Sequence, residues 1–153
     1  MKIYLAADHG GYELKEAIKK WLQENHYEFE DCGAFTYDPE DDYPDFVFPA
    51  VEKVTQDKTG QDRAIIGCRS SGGAVIAANK VKGIRAVSVF DIKSTEHAVT
   101  NNDANVIGVS GDWSSEAEAI KIVAAFLTTK FPGAGRHARR IEKIAEYEEK
   151  HSI

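Results

Sequence analysis

Short β-branched runs alternate with longer amphipathic stretches along most of this chain, and that alternation limits its fold more than any other feature. Ile3–Ala7 reads as a buried strand, and Tyr12–Glu24 then spaces Leu14, Ala17, Ile18, Trp21 and Leu22 along one helical face with lysines opposite. Phe29–Asp31 predicts a weak second strand, Phe46–Val54 a helix and Ala64–Gly67 a third strand. Helix is expected over Ala74–Lys80, strand over Ala86–Phe90, helix over Ser94–Thr100 and strand over Val106–Val109. Ser114–Leu127 is a further helix, opened by hydroxyl residues and early acids that suit an N-terminus. Strands separated by helices form βαβ units, and their right-handed crossovers give an α/β fold. The expected architecture is a Rossmann-like, doubly wound, five-stranded parallel sheet in a three-layer α/β/α sandwich.

No repeat or linker divides the chain, and a length of 153 residues fits a single domain over 1–153. Beyond Pro132 the pattern changes. Gly133-Ala134-Gly135 breaks the chain, and Arg136–Lys150 is a charged helix carrying Ile141, Ile144, Ala145 and Tyr147. That C-terminal helix either packs back on its own sheet or reaches a partner subunit; the sequence leaves both open.

Charge narrows the partners. The formal net charge is −6, from 25 acids against 19 Lys and Arg, which argues against a nucleic-acid binder but not against a small anion held by a few local cations. No apolar run approaches the roughly 18 residues of a membrane span. The first apolar run ends at Asp8 after five residues, too short for a signal-peptide core. Cys32 and Cys68 have no zinc spacing and are too few for a disulfide framework, so two reduced thiols in a cytoplasmic protein with no membrane partner are expected.

Ligands of doubly wound sheets sit beyond the carboxyl ends of the strands, here Ala7–Gly11, Gly33–Asp45, Gly67–Gly73, Phe90–Ile92 and Ser110–Ser114. Asp8-His9-Gly10-Gly11 either cradles an anion on its backbone N–H groups or is a plain turn with Asp8 as N-cap. Gly67-Cys68-Arg69-Ser70-Ser71-Gly72-Gly73 is the richest segment. A thiol beside Arg69 and a helix start should have a lowered pKa and serve as base or nucleophile, unless Cys68 is simply buried structure. The segment lacks the P-loop pattern, and no Gly-x-Gly-x-x-Gly follows the first strand, which argues against a nucleotide. Arg136 and Arg140, at i and i+4, make a phosphate clamp or a solvated basic turn. Asp38–Asp45 reads as an acidic surface loop closing in a Tyr43-Pro44 turn, and His97 is a minor candidate.

Five segments taken together resemble the type B ribose-5-phosphate isomerases, a family that includes the galactose-6-phosphate isomerase subunits. They are Ala7–Lys15, Asp42–Asp45, Ile76–Ala86, Asn102–Val106 and Gly135–Glu142. The resemblance runs from about Met1 to Tyr147. It implies an aldose–ketose isomerase of a small phosphorylated sugar, working through a cis-enediolate. It also implies a homodimer or tetramer with sites across the dimer interface, and no metal or organic cofactor. By that resemblance Cys68 is the base, Ser70 assists the enediolate, and Asp8, His9 and Tyr43 contact substrate beside Arg69, Ser71, Gly72 and Gly73. Arg136, His137 and Arg140 match the phosphate-binding motif.

The chain departs from the family at four points. Members with a cysteine base usually read Cys-Gly-Thr-Gly where this chain reads Cys68-Arg69-Ser70-Ser71. Members often carry a ring-opening His where this chain has Asn101, an amide that cannot shuttle a proton near neutral pH. An Arg after the fifth strand is replaced by Asp112, and the alternative Glu base by Ala74. Either Arg69 supplies the cation lost at Asp112, or the site suits another sugar: a tetrose or hexose phosphate, or one with an unphosphorylated end. A non-catalytic sugar-phosphate-binding protein is the further alternative.

Overall fold

The computed structural model describes residues 1–151. Its elements run β1 (Ile3–Ala7), α1 (Tyr12–Glu24), β2 (Phe29–Asp31), α2 (Tyr43–Gln56), β3 (Arg63–Cys68), α3 (Gly72–Ala78), β4 (Ala86–Ser88), α4 (Ile92–Asn102), β5 (Val106–Ser110), α5 (Glu116–Thr128) and α6 (Gly135–His151). The five strands pair in parallel in the order β2-β1-β3-β5-β4. The two-residue period of each strand divides the core. Ile3, Leu5, Ile65, Ile107 and Val109 face α1, α4 and α5 around Phe126, while Tyr4, Ala6, Ala64, Ile66 and Val106 face α2 and α3. Both faces of the sheet are thereby covered, as a parallel sheet requires. Among the described residues no helix is long and apolar enough to cross a membrane.

Local chemistry moves several element boundaries from those the periodicity predicts. Tyr43-Pro44 is not a turn: Asp42 is the N-cap of α2, and Pro44, preset for the first helical turn, starts the helix three residues before Phe46. The fourth strand stops at Ser88 because Phe90 N–H and Asp91 N–H both turn to Ser94 Oγ, opening the Asp91–Ser94 capping box of α4. The Ser115–Glu118 capping box likewise starts α5 at Glu116 rather than Ser114. α3 begins at Gly72, two residues early, on Ser71 in a left-handed conformation (φ 63°). α6 does not pack back on its own sheet. It has no buried residue and touches the rest of the chain beside α4, with Gly83 N–H donating to Glu148.

The lysines of α1 are not all on its solvent side. Lys15 is buried, and its Nζ donates to both oxygens of Asp31 at 2.8 Å, tying α1 under β2. Burial would push the Asp31 carboxyl up, but Lys15, the Gly33 amide and Lys19 together hold it below the usual carboxylate range. A depressed folded pKa means that this stabilisation is fully present above the unfolded value of about 3.9 and is lost as pH falls through the folded one. Lys15→Ala removes two charge-assisted hydrogen bonds but leaves Asp31 held by Lys19 and the Gly33 amide, so we expect it to cost about 2 kcal/mol in urea unfolding at pH 7, with less lost as pH falls through the folded Asp31 value. The exposed Lys20→Ala should cost almost nothing under either condition.

Candidate active site

The chain reverses direction across the sheet between β1 and β3, the position where such sheets open a crevice. The loops after β1, β3 and β5 meet there in a contact that glycine makes possible. A Cβ on Gly10 would strike Arg69, one on Gly11 would strike Gly67 and Cys68, and one on Gly111 would fall on the Gly10 carbonyl. Ser110 Oγ and Asp112 N–H both donate to the Arg69 carbonyl, pinning the third loop to the second. The resulting pocket of about 320 Å³ is lined by His9, Tyr37, Arg69 and Asp112, with Glu13 and Glu116 at its wall.

Asp8 is buried at the end of β1, and its Oδ1 accepts from the Gly10 and Gly11 amides at 2.9 and 3.3 Å. Two sequence readings change here. Gly11, not Asp8, is the N-cap of α1, and the two amides that would cradle an anion already serve Asp8. Burial pushes the Asp8 carboxyl above its usual value, outweighing the neighbouring His9 and the two amides.

The acidic loop is not simply a surface feature either. Asp41, which sequence reading left unassigned, has a side chain only 8% exposed, and its Oδ1 meets both the His9 N–H at 2.9 Å and His9 Nδ1 at 2.7 Å. The hydrogen bond to Asp41, helped by Asp8, holds the His9 imidazole above its usual pKa. Ligand atoms of Asp8, His9 and Asp41 come within 4.8 Å of one another. Because Oδ1 of each carboxylate and His9 Nδ1 are already hydrogen-bonded, the cluster reads as an acid–base network rather than a cation cage.

Cys68 lies inside the end of β3, 5% exposed, rather than in the loop. Its thiol is not lowered, as its position near Arg69 suggested, but raised. Burial dominates and Asp8 adds to it, while the Ala74, Ser71 and Ser70 amides pull the other way. Ser70 is exposed beside it, and the Gly73 backbone approaches the Tyr43 ring so closely that a Cβ would lie 2.8 Å from it. The Ser71 hydroxyl is fully buried and bonded to Ser88 Oγ at 2.8 Å, so its side chain braces the α3 start instead of facing a ligand. Arg69 is exposed, and its guanidinium lies 3.4 Å from Asp112.

The remaining expected residues stand apart from this cluster. Asn101 sits on α4, its amide 2.7 Å from His97 Nε2 one turn back. The Phe90–Ile92 loop faces α5 elsewhere. Arg136 and Arg140 are exposed and His137 is half-buried at the start of α6, with no side-chain hydrogen bond to any described residue and no place in the pocket lining.

A family model for ribose/galactose isomerases matches residues 3–144. The chain is 43% identical over 151 residues to ribose-5-phosphate isomerase B of Mycobacterium tuberculosis, covering 99% of this chain and 92% of that protein. Its fold superposes with a TM-score of 0.92 on a crystal structure of ribose-5-phosphate isomerase B from Mycoplasma genitalium with bound ribulose-5-phosphate, at 39% identity and coverage of 97% and 96%. A ribose-5-phosphate isomerase B structure from Clostridium thermocellum gives a TM-score of 0.90 at 38% identity, covering 99% of each chain.

The burial of both thiols has a direct readout. Cys32 is pushed up to about 11, chiefly by burial, and Cys68 is also raised. A spectrophotometric titration at 240 nm should show no thiolate until the pH passes about 8.5, the ordinary thiol value. A thiolate signal near pH 7 that disappears in Cys68→Ser would contradict the burial argument.

Proposed function

This chain belongs to the ribose/galactose isomerase family, and on that footing we propose that it is an aldose–ketose isomerase interconverting ribose 5-phosphate and ribulose 5-phosphate. The observation that carries the assignment to the crevice is the placement of Cys68 and the Asp8–His9 pair at the ends of adjacent strands β3 and β1. Within one domain over 1–153, Cys68 takes the C2 proton of the open-chain aldose and returns it to C1. Ser70 and the amides of Ser71, Gly72 and Gly73 lie where the enediolate oxygen develops, and Tyr43 closes the side formed by α2. A raised thiol holds little thiolate at neutral pH but is a stronger base when it ionises, and the Ala74, Ser71 and Ser70 amides beside the sulfur support that form.

The phosphate falls to Arg136, His137 and Arg140. Both arginines make no side-chain hydrogen bond to any described residue and stand at the start of a helix with no buried residue, an arrangement that suits a clamp delivered to a second copy of the chain. A homodimer or tetramer would therefore complete the site, with Asn101 on α4 contributing a hydrogen bond rather than a proton.

One observation favours a second reading of the substrate. Arg69 is paired with Asp112, and Glu13 and Glu116 share the same pocket wall, so that wall is net acidic. A hydroxyl-bearing end of the sugar fits there better than a second anion, and a four-carbon phosphate is then as suitable as a five-carbon one.

Cys68→Ala should lower kcat by at least about 10²-fold while leaving the circular dichroism spectrum unchanged. Incorporation of solvent deuterium at C1 or C2, measured by NMR across four-, five- and six-carbon aldose and ketose phosphates, ranks the substrates. Full turnover by Cys68→Ala on the best of them removes Cys68 as the base, and binding without exchange across the panel removes the isomerase reading.

A further inference from the structure

Ser71 opens α3 but does not cap it. A serine before a helix ordinarily turns its hydroxyl back to an amide of the first turn. Here the Ser71 backbone sits in the left-handed region (φ 63°, ψ −16°), and its side chain caps nothing. The hydroxyl lies instead 2.8 Å from Ser88 Oγ on the edge strand β4, and it crosses β5 to get there. Gly108, which pairs with Ser88 in the β4–β5 register, leaves the room. A Cβ at Gly108 would fall 2.6 Å from Val75 and 3.0 Å from Ser71 Cβ.

That arrangement needs a tether. Left-handed backbone is costly for a residue with a Cβ and persists only where its surroundings hold it. Ser71 is also fully buried, so its hydroxyl requires a partner. Ser88 Oγ meets both demands, and among the described residues it is the one side chain bonded to the Ser71 hydroxyl. What the tether spares is the set of amides around Cys68. The Ala74, Ser71 and Ser70 amides approach the sulfur and favour its thiolate. Ala74 is the third residue of α3, and its amide is one that a capping serine at 71 would take. A Ser71 hydroxyl released from Ser88 would turn to that amide and draw it away from the sulfur. We propose that Ser88 is a positioning residue for Cys68: by holding the Ser71 hydroxyl across β5, it keeps the loop in its left-handed turn and leaves the Ala74 and Ser71 amides to the sulfur.

Ser88 stands two strands from Cys68 in the sheet, so it acts on the thiol only through Ser71. The other groups that bear on the thiol come from three sides. Asp8 at the end of β1 is the charged group that opposes ionisation. Tyr43 of α2 packs against the core layer that contains Cys68. The α3 and β5 sequences carry no titratable side chain, and the Arg69 guanidinium is turned to Asp112. The amides are therefore the main support for the thiolate, and their placement depends on the Ser71–Ser88 pair.

The consequence for turnover rests on the isomerase reading, but the first test does not. Carbon NMR on the full chain with labelled cysteine, assigned with Cys68→Ser, follows the Cys68 titration without substrate. Ser88→Ala should move that titration to higher pH, leaving about tenfold less thiolate at pH 7. Ser88→Thr keeps the hydroxyl and should titrate close to the parent. Adding Ser71→Gly to Ser88→Ala should recover most of the change, because glycine takes a positive φ without a tether and has no hydroxyl to compete for the amide. With the best substrate, Ser88→Ala should lower kcat at pH 7 by about the same tenfold with little change in KM. The rising limb of kcat/KM should move to higher pH together with the NMR titration. A merely structural role would lower Tm and leave the Cys68 titration in place. A titration unmoved by Ser88→Ala, or not recovered by Ser71→Gly, overturns the positioning role whatever the substrate proves to be. A moved titration with unchanged kcat overturns its part in the reaction. Should the parent turn over no sugar phosphate, the isomerase reading fails and the NMR alone decides whether Ser88 governs Cys68.

Discussion

The loops after β1, β3 and β5 can share one pocket only because Gly10, Gly11 and Gly111 carry no side chain where the backbones pass. Parallel strands lie about 4.8 Å apart, so loops rising from β1 and its neighbour β3 are pressed together unless one of them yields its side chains. Here the first loop yields. That single constraint sets Asp8 beside Cys68, His9 beside Arg69, and Asp112 within reach of the same guanidinium. Because the contacts are backbone against backbone, the geometry is carried by the sheet rather than by mobile side chains.

Within this frame burial does the tuning. Desolvation disfavours the charged form of an acid, and it raises both Asp8 and Cys68 even though backbone amides point at each. Asp41 is buried too, yet it has an imidazole to hold, and the imidazole is raised in consequence. Asp8 and His9 are thus both raised, by burial that favours the neutral acid and by pairing that favours the charged ring, a pattern found in a crevice more readily than on an open surface. The same logic runs in reverse at Lys15 and Asp31, where full pairing keeps a buried carboxylate charged and makes it structural.

The layering of this fold was legible because its signals are local and periodic. Ile3, Leu5 and their alternates Tyr4 and Ala6 sort to two faces by a period of two, and Leu14, Ile18 and Leu22 mark a helical face directly. Boundaries were less legible where a cap competes with the strand or helix pattern, as at Phe90, where one serine hydroxyl takes two backbone amides and ends the strand. Cys68 was found but its state was misjudged, since a sequence shows the adjacent Arg69 and the coming helix but not the depth of burial that outweighs them. Asp41 was missed for a related reason. Five acids in one loop look alike in sequence, and only the packing of that loop against the β1–α1 turn distinguishes the carboxylate that meets His9 from those in solvent.

The acidic average of the chain, a formal charge of −6, leaves open how an anionic substrate is held. Among the described residues Arg69 is the one Lys or Arg lining the pocket, and it already faces Asp112 at 3.4 Å. Such an exposed pair is weak, so Arg69 can swing to a ligand at small cost, but doing so leaves the carboxylates of Asp112, Glu13 and Glu116 beside the incoming anion. A phosphate placed against that wall would therefore meet one recovered cation and three acids. Placed against Arg136 and Arg140 it meets two guanidinium groups at helical spacing, unpaired among the described residues, and no intervening carboxylate on that turn. The electrostatics therefore favour the proposal that a second copy completes the site, with the sugar's reacting end in the crevice of one copy and its phosphate at the helix start of another.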